Sequence, residues 1–130
     1  MGFFEEIFSK DKKNQERFVH PISWPDGVVH LSEDDFSEFI STYPVCFIDF
    51  WSPTCRPCRI MIPRMRRLAD HYEGRMAVGS VNIALNPALA KKYKILGVPK
   101  FLLFVFGKNT TGTSGVQSLG ELKKLIDKYL

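Results

Sequence analysis

The chain has 130 residues, of which 45% are apolar and 25% charged, and carries a net charge of +4. That length accommodates one domain and no second independent core, and the balance of apolar and charged residues is that of a soluble globular protein, not a disordered one. The positive charge is modest, and no Lys/Arg run is interleaved with aromatics, so nucleic acid is not an expected partner.

The N-terminal stretch, residues 1–25, reads as an extension of a domain spanning 26–130. Phe3, Phe4, Ile7 and Phe8 lie at helical spacing and predict a short terminal helix whose aromatic face covers part of the domain. One apolar turn without a basic face binds membranes poorly. There is no basic segment followed by a long apolar one of the signal-peptide kind, and Glu6 stands where a myristoylation signal needs Ser or Thr. The longest apolar run, Phe101 to Phe106, is far too short to span a bilayer. A cytoplasmic, monomeric protein without membrane attachment is expected.

After the turn signal Pro25-Asp26-Gly27, strands and helices alternate. Val28 to Leu31 predicts a short strand. Ser32 and Asp35 form a capping-box pattern ahead of a helix with Phe36, Phe39 and Ile40 on one face. Val45 to Trp51 is nearly continuous apolar sequence, the pattern of a strand buried on both faces. A long helix is predicted from about Cys55 to Tyr72, with Ile60, Met61, Met65, Leu68 and Ala69 available for burial and a kink at Pro63. Met76 to Ile83 predicts another strand, and Asn86-Pro87 caps a short helix. Pro99 opens a strand from Lys100 to Phe106, Gly107 turns the chain into a weaker strand ending near Gly115, and Ser118 with Glu121 caps a last helix. The alternation predicts an α/β domain with a largely parallel core and an antiparallel edge.

Chemistry concentrates where the buried strand gives way to the long helix, at Cys55-Arg56-Pro57-Cys58. A cysteine at a helix N-terminus has its thiolate stabilised by unpaired backbone N–H groups and by the positive end of the helix dipole. A second cysteine three residues on lies within the first turn and can reach the first, which makes a redox pair. Zinc is the competing reading, since Cys55, Cys58 and His71 match the spacing of three finger ligands. No histidine follows at residues 75–77, and His71 lies some four helical turns from the cysteines, so no metal is expected. Cys46, between Val45 and Phe47, reads as a small core residue. His20, His30 and His71 show no clustering and receive no role. Asp49 stands out as a lone carboxylate in an apolar strand. Burial disfavours its charged form, so it is expected to exchange a proton near neutral pH.

The segment Ile48-Asp49-Phe50-Trp51-Ser52-Pro53-Thr54-Cys55-Arg56-Pro57-Cys58-Arg59 resembles the active-site strand and helix start of the thioredoxin family, in a variant with Arg-Pro between the cysteines. Pro63, Gly97-Val98-Pro99 and Gly115 are similar to further family positions in order and spacing, and the resemblance covers Val28 to Leu130. It implies a thioredoxin-like fold, a central mixed β-sheet flanked by helices, and a thiol–disulfide oxidoreductase that reduces protein disulfides through a Cys55–Cys58 cycle without a cofactor. It further implies a catalytic set of Cys55, Cys58 and Asp49, with Asp49 assisting deprotonation of Cys58. The implied substrate-binding set is Trp51, Arg56, Pro57, Val98, Pro99 and Gly115, with a cis Val98–Pro99 bond and an external reductase such as a thioredoxin reductase. A binding or redox-sensing module with little turnover is the alternative. Four departures stand out against the family pattern: Thr54 in place of Trp, Arg56 in place of Gly, Lys100 in place of Thr, and Ser80 where many members place a lysine near the buried acid. Arg56, Arg59 and Lys100 predict a basic rim that favours acidic substrate segments.

Overall fold

The structure is a computed structural model that describes residues 23–130. The expected terminal helix around Phe3 to Phe8 lies outside these residues. Among them the chain forms five strands and four helices: β1 (Val28–Leu31), α1 (Phe36–Thr42), β2 (Val45–Trp51), α2 (Arg56–His71), β3 (Ala77–Asn82), α3 (Pro87–Lys92), β4 (Lys100–Val105), β5 (Lys108–Ser114) and α4 (Leu119–Asp127). The strands form one sheet in the order β1-β3-β2-β4-β5.

The first three strands are parallel, as expected, but β4 is antiparallel to β2 and β5 antiparallel to β4. The antiparallel part is therefore half of the sheet and starts at its centre, which corrects the expectation of an antiparallel edge on a largely parallel core. The reason lies in α3. Its six residues span only about 9 Å, too short to carry the chain back along a strand of about 20 Å. The chain therefore re-enters the sheet at the end where it left.

Alternation along β2 divides the core. Val45 and Phe47 join Val78, Phe101 and Leu103 beneath Met61, Met65 and Leu68 of α2 and Leu122 and Ile126 of α4. The rings of Phe47 and Phe101 stack across neighbouring strands with centroids 5.7 Å apart. Cys46, Ile48 and Phe50 face the other way, against Phe36, Phe39 and Ile40 of α1 and Leu89 of α3. By the same period of two, Asp49 falls on the α2 side of the sheet. Trp24, inside the stretch assigned to the extension, stacks on Tyr43 with centroids 5.5 Å apart.

The caps differ in detail from the sequence reading. Regular helix in α1 starts at Phe36, yet the Asp35 carboxylate does reach back to the Ser32 N–H at 2.6 Å. The Asn86 side chain does not cap α3. Its Oδ1 accepts from the Glu33 N–H at 3.0 Å, while the Glu33 carboxylate accepts from the Ala88 N–H at 2.8 Å and so caps α3 from a distant segment. Ser118 caps α4 as expected, accepting from the Glu121 N–H at 3.1 Å. Ile60, expected in the core, is 45% exposed, because α2 turns it away from the sheet between buried Cys58 and Met61. β3 starts at Ala77 and ends at Asn82, one residue inside the predicted strand at each end. Phe106 and Gly107, both at positive φ, form the tight turn between β4 and β5.

Candidate active site

Strand β2 ends at Trp51, and a short turn delivers Cys55 to the N-cap of α2. Pro57 suits the first turn of the helix, where a missing N–H costs no hydrogen bond. Cys55 and Cys58 are joined as a disulfide with Cα atoms 5.3 Å apart. The Cys58 N–H donates to Cys55 Sγ at 3.2 Å, so an unpaired donor of the helix start is aimed at the sulfur. The two sulfurs differ in access: Cys55 is half-buried, whereas Cys58 is 2% exposed on the inner side of α2.

The antiparallel pairing of β2 with β4 brings the proline loop to the same end of the sheet. The Val98–Pro99 bond is cis, Pro99 is buried, and the Val98 carbonyl oxygen lies 3.7 Å from Cys55 Sγ. The Gly115 N–H donates to the Pro99 carbonyl at 2.9 Å, and Gly115 holds φ at +81°, where a side chain would be strained. Arg64 of α2 donates to the Gln117 carbonyl at 2.7 Å and fixes the segment beyond Gly115 against the helix. Val98, Pro99 and Gly115 thus line one groove together with Lys94, Leu96 and Lys100, beside Cys55.

Two parts of the expected basic rim are engaged elsewhere. Arg59 donates to the Pro53 carbonyl at 3.2 Å and holds the turn ahead of Cys55. The Lys100 ammonium lies 3.3 Å from Ser114 Oγ, across the β4–β5 pair, so it borders the groove and its head is turned toward β5. Arg56 is exposed next to Cys55, and Pro57 is exposed with it.

On β2, six residues ahead of Cys55, Asp49 is 4% exposed and its Oδ1 has no hydrogen-bond partner. Burial pushes its carboxyl up from the ordinary value of 3.8 to about 7. Ser80 lies opposite it in β3, and Ser80 Oγ accepts from the Trp51 indole N–H at 2.7 Å. Trp51 therefore braces the strand that carries Asp49. A cavity of about 490 Å³ opens here, lined by Asp49, Ser80, Trp51 and residues of β1 and α2. Sequence reasoning missed its outer lining, His30, Ile62 and Arg66, since only the sheet register brings β1 and α2 to this place. Cys46 is fully buried on the opposite face of β2, its Sγ 3.5 Å from the Tyr43 carbonyl oxygen, and burial pushes its thiol up. It lies apart from the pair, as expected. Among the described residues no group of three or more His, Cys, Asp or Glu side chains is arranged to hold a metal ion.

The thioredoxin family model matches residues 27–128. The chain is 35% identical over 107 residues to the thioredoxin of Acidithiobacillus ferridurans, covering 81% of this chain and 98% of that one. It is 34% identical to the thioredoxin of Buchnera aphidicola from Baizongia pistaciae, covering 79% and 95%. A mutant thioredoxin from Halobacterium salinarum has a solved structure that superposes with a TM-score of 0.77 at 30% identity, covering 82% of this chain and 94% of that one. With the paired cysteines at a helix start beside a cis-proline loop, these similarities establish that the chain belongs to the thioredoxin family and is a protein thiol–disulfide oxidoreductase.

Proposed function

We propose that Cys55 is the attacking thiol and Cys58 the resolving one, and that Asp49 takes the proton of Cys58. The observation that carries this reading is the unequal placement of the two sulfurs: Cys55 is half-buried at a helix N-cap with an N–H aimed at it, while Cys58 is shut inside. The Cys55 thiolate attacks one sulfur of a substrate disulfide, forming a mixed disulfide and releasing the other sulfur as a thiolate. Cys58 then gives its proton to Asp49, and the resulting thiolate attacks Cys55 Sγ. This expels the second substrate thiolate and leaves the Cys55–Cys58 disulfide, so two electrons have passed to the substrate.

Val98, Pro99 and Gly115 offer a groove for an extended substrate segment, with Pro57 beside it and Trp51 bracing the site from behind. Arg56 favours acidic segments near the reacting disulfide. An external reductase of the thioredoxin-reductase type restores the dithiol, and the protein works as a monomer.

Insulin reduction driven by dithiothreitol tests the assignment. Cys55→Ser abolishes turnover, Cys58→Ser accumulates mixed disulfides with its targets, and Cys46→Ser remains active. Loss of activity in a folded Cys46→Ser variant, or trapping by Cys55→Ser instead of Cys58→Ser, overturns it.

A further inference from the structure

On the reading above, Asp49 takes up the Cys58 proton in each cycle and must release it before the next, either past the dithiol or by another path. The sheet register supplies a second way out. His30 of β1 pairs with Ser80 of β3, and Ser80 pairs with Asp49 of β2, so the three residues form one row across parallel strands. The side-chain period of two puts all three on the α2 face, and all three line the same cavity of about 490 Å³. Its inner end holds the unpartnered Oδ1 of Asp49, and at its outer end His30 is exposed. Ser80 accepts the Trp51 indole N–H, which leaves its own hydroxyl proton free to donate. Two strand spacings separate His30 from Asp49, roughly 10 Å. One hydroxyl and one or two waters would bridge that gap, and the cavity is large enough to take them, with Asp49, Ser80 and His30 as their polar partners.

The titratable and charged groups that line the cavity with Asp49 are His30 from β1, Asp26 from the turn ahead of it, and Arg66 from α2. β3 contributes Ser80, and Phe101 of β4, which has no titratable group, is the partner on the other side. A guanidinium carries donors and no acceptor, so Arg66 offers no relay atom, and Asp26 is exposed ahead of the sheet row. Histidine is the side chain suited to pick up and release a proton near neutral pH.

We propose that the row His30–Ser80–Asp49 is a proton route between solvent and the buried carboxyl, separate from the substrate groove, with His30 as its outer relay. The proposal rests on the reading of Asp49 as proton acceptor for Cys58. In each cycle the Cys58 proton passes to Asp49, then through the Ser80 hydroxyl and water to a His30 ring nitrogen, and from there to solvent. His30 touches neither substrate nor dithiol, so it is a positioning residue for the proton.

The test uses the oxidised full chain, in which no disulfide exchange occurs. The infrared carbonyl band of protonated Asp49, assigned by its loss in Asp49→Asn, is followed after a rapid pH jump. His30→Gln, at an exposed site, slows the relaxation by roughly tenfold or more, and added imidazole restores it. Arg66→Gln leaves the relaxation rate unchanged. Relaxation as fast in His30→Gln as in the native chain overturns the proposal, and so does slowing that imidazole does not relieve. Failure of the underlying reading looks different: Asp49→Asn would then reduce insulin at the native rate, whatever the band does.

Discussion

Replacing Asp49 by Asn removes one titration from the middle of the sheet and should change how stability depends on pH. The carboxyl titrates at about 7 in the fold, against an ordinary value of 3.8, because burial disfavours its charged form. The folded state therefore binds this proton more tightly than the unfolded chain does. Stability from this group is full below pH 4, falls as pH rises from about 4 to 7, and is flat above that. At about 1.36 kcal/mol for each pH step between the two values, the whole loss is about 4 kcal/mol, of which roughly 2.5 kcal/mol falls between pH 5 and 8. Water entering the cavity softens the burial penalty and lowers both figures. Urea denaturation of the oxidised protein at pH 5 and pH 8, for the native chain and for Asp49→Asn, isolates the effect in the difference between the two differences. Asn brings its own buried amide, but that contribution does not titrate. The variant should gain on the native chain by a few kcal/mol on going from pH 5 to pH 8, and its insulin reduction should be slower at neutral pH. Parallel pH dependences in the two proteins would refute the assignment of a neutral-range titration to Asp49.

Arg56→Gly should lower the reduction potential by roughly 6–20 mV, measured against glutathione, with less thiolate absorbance at neutral pH, because an exposed cation beside Cys55 stabilises the charged, reduced form by about 0.3–1 kcal/mol. A potential that stays or rises would show that Arg56 serves partner recognition alone. Tyr72→Phe removes the 2.6 Å hydrogen bond from the buried phenol to Asp127, which joins the ends of α2 and α4, and should cost about 1–2 kcal/mol in chemical denaturation. Gly112→Ala places a Cβ 2.7 Å from the Phe101 backbone carbonyl oxygen and should cost about 1–3 kcal/mol by the same measurement, with little change in turnover per folded molecule.

Much of this is legible along the chain because it depends on neighbours in sequence. β1 and β2 keep the bounds that their apolar patterns give, and Ser118 with Glu121 marks the start of α4. Asp49 is visible as a carboxylate where only apolar side chains are expected. What escapes depends on residues far apart. Nothing along the chain links His30 to the redox pair, and only the register of three strands sets it in line with residues 80 and 49. Glu33 caps a helix more than fifty residues away, taking the role that the sequence pattern assigns to Asn86. Ile60 has the spacing of a core residue, yet its side of α2 is turned from the sheet. The direction of β4 is hidden for a related reason. A short helix and a proline loop do not reveal in sequence whether the chain crosses the sheet or turns back.

The burial of Cys46 also has a practical consequence. With residues 55 and 58 oxidised, Cys46 is the one remaining thiol of the chain, and it lies at 0% exposure in the central strand between two packed layers. A thiol-specific label can reach it only when β2 itself comes free, so the labelling rate of the oxidised protein counts large openings of the sheet and ignores fraying of its loops. The native sequence thus contains its own clock for global unfolding, one that needs no engineered probe and starts when the redox pair closes.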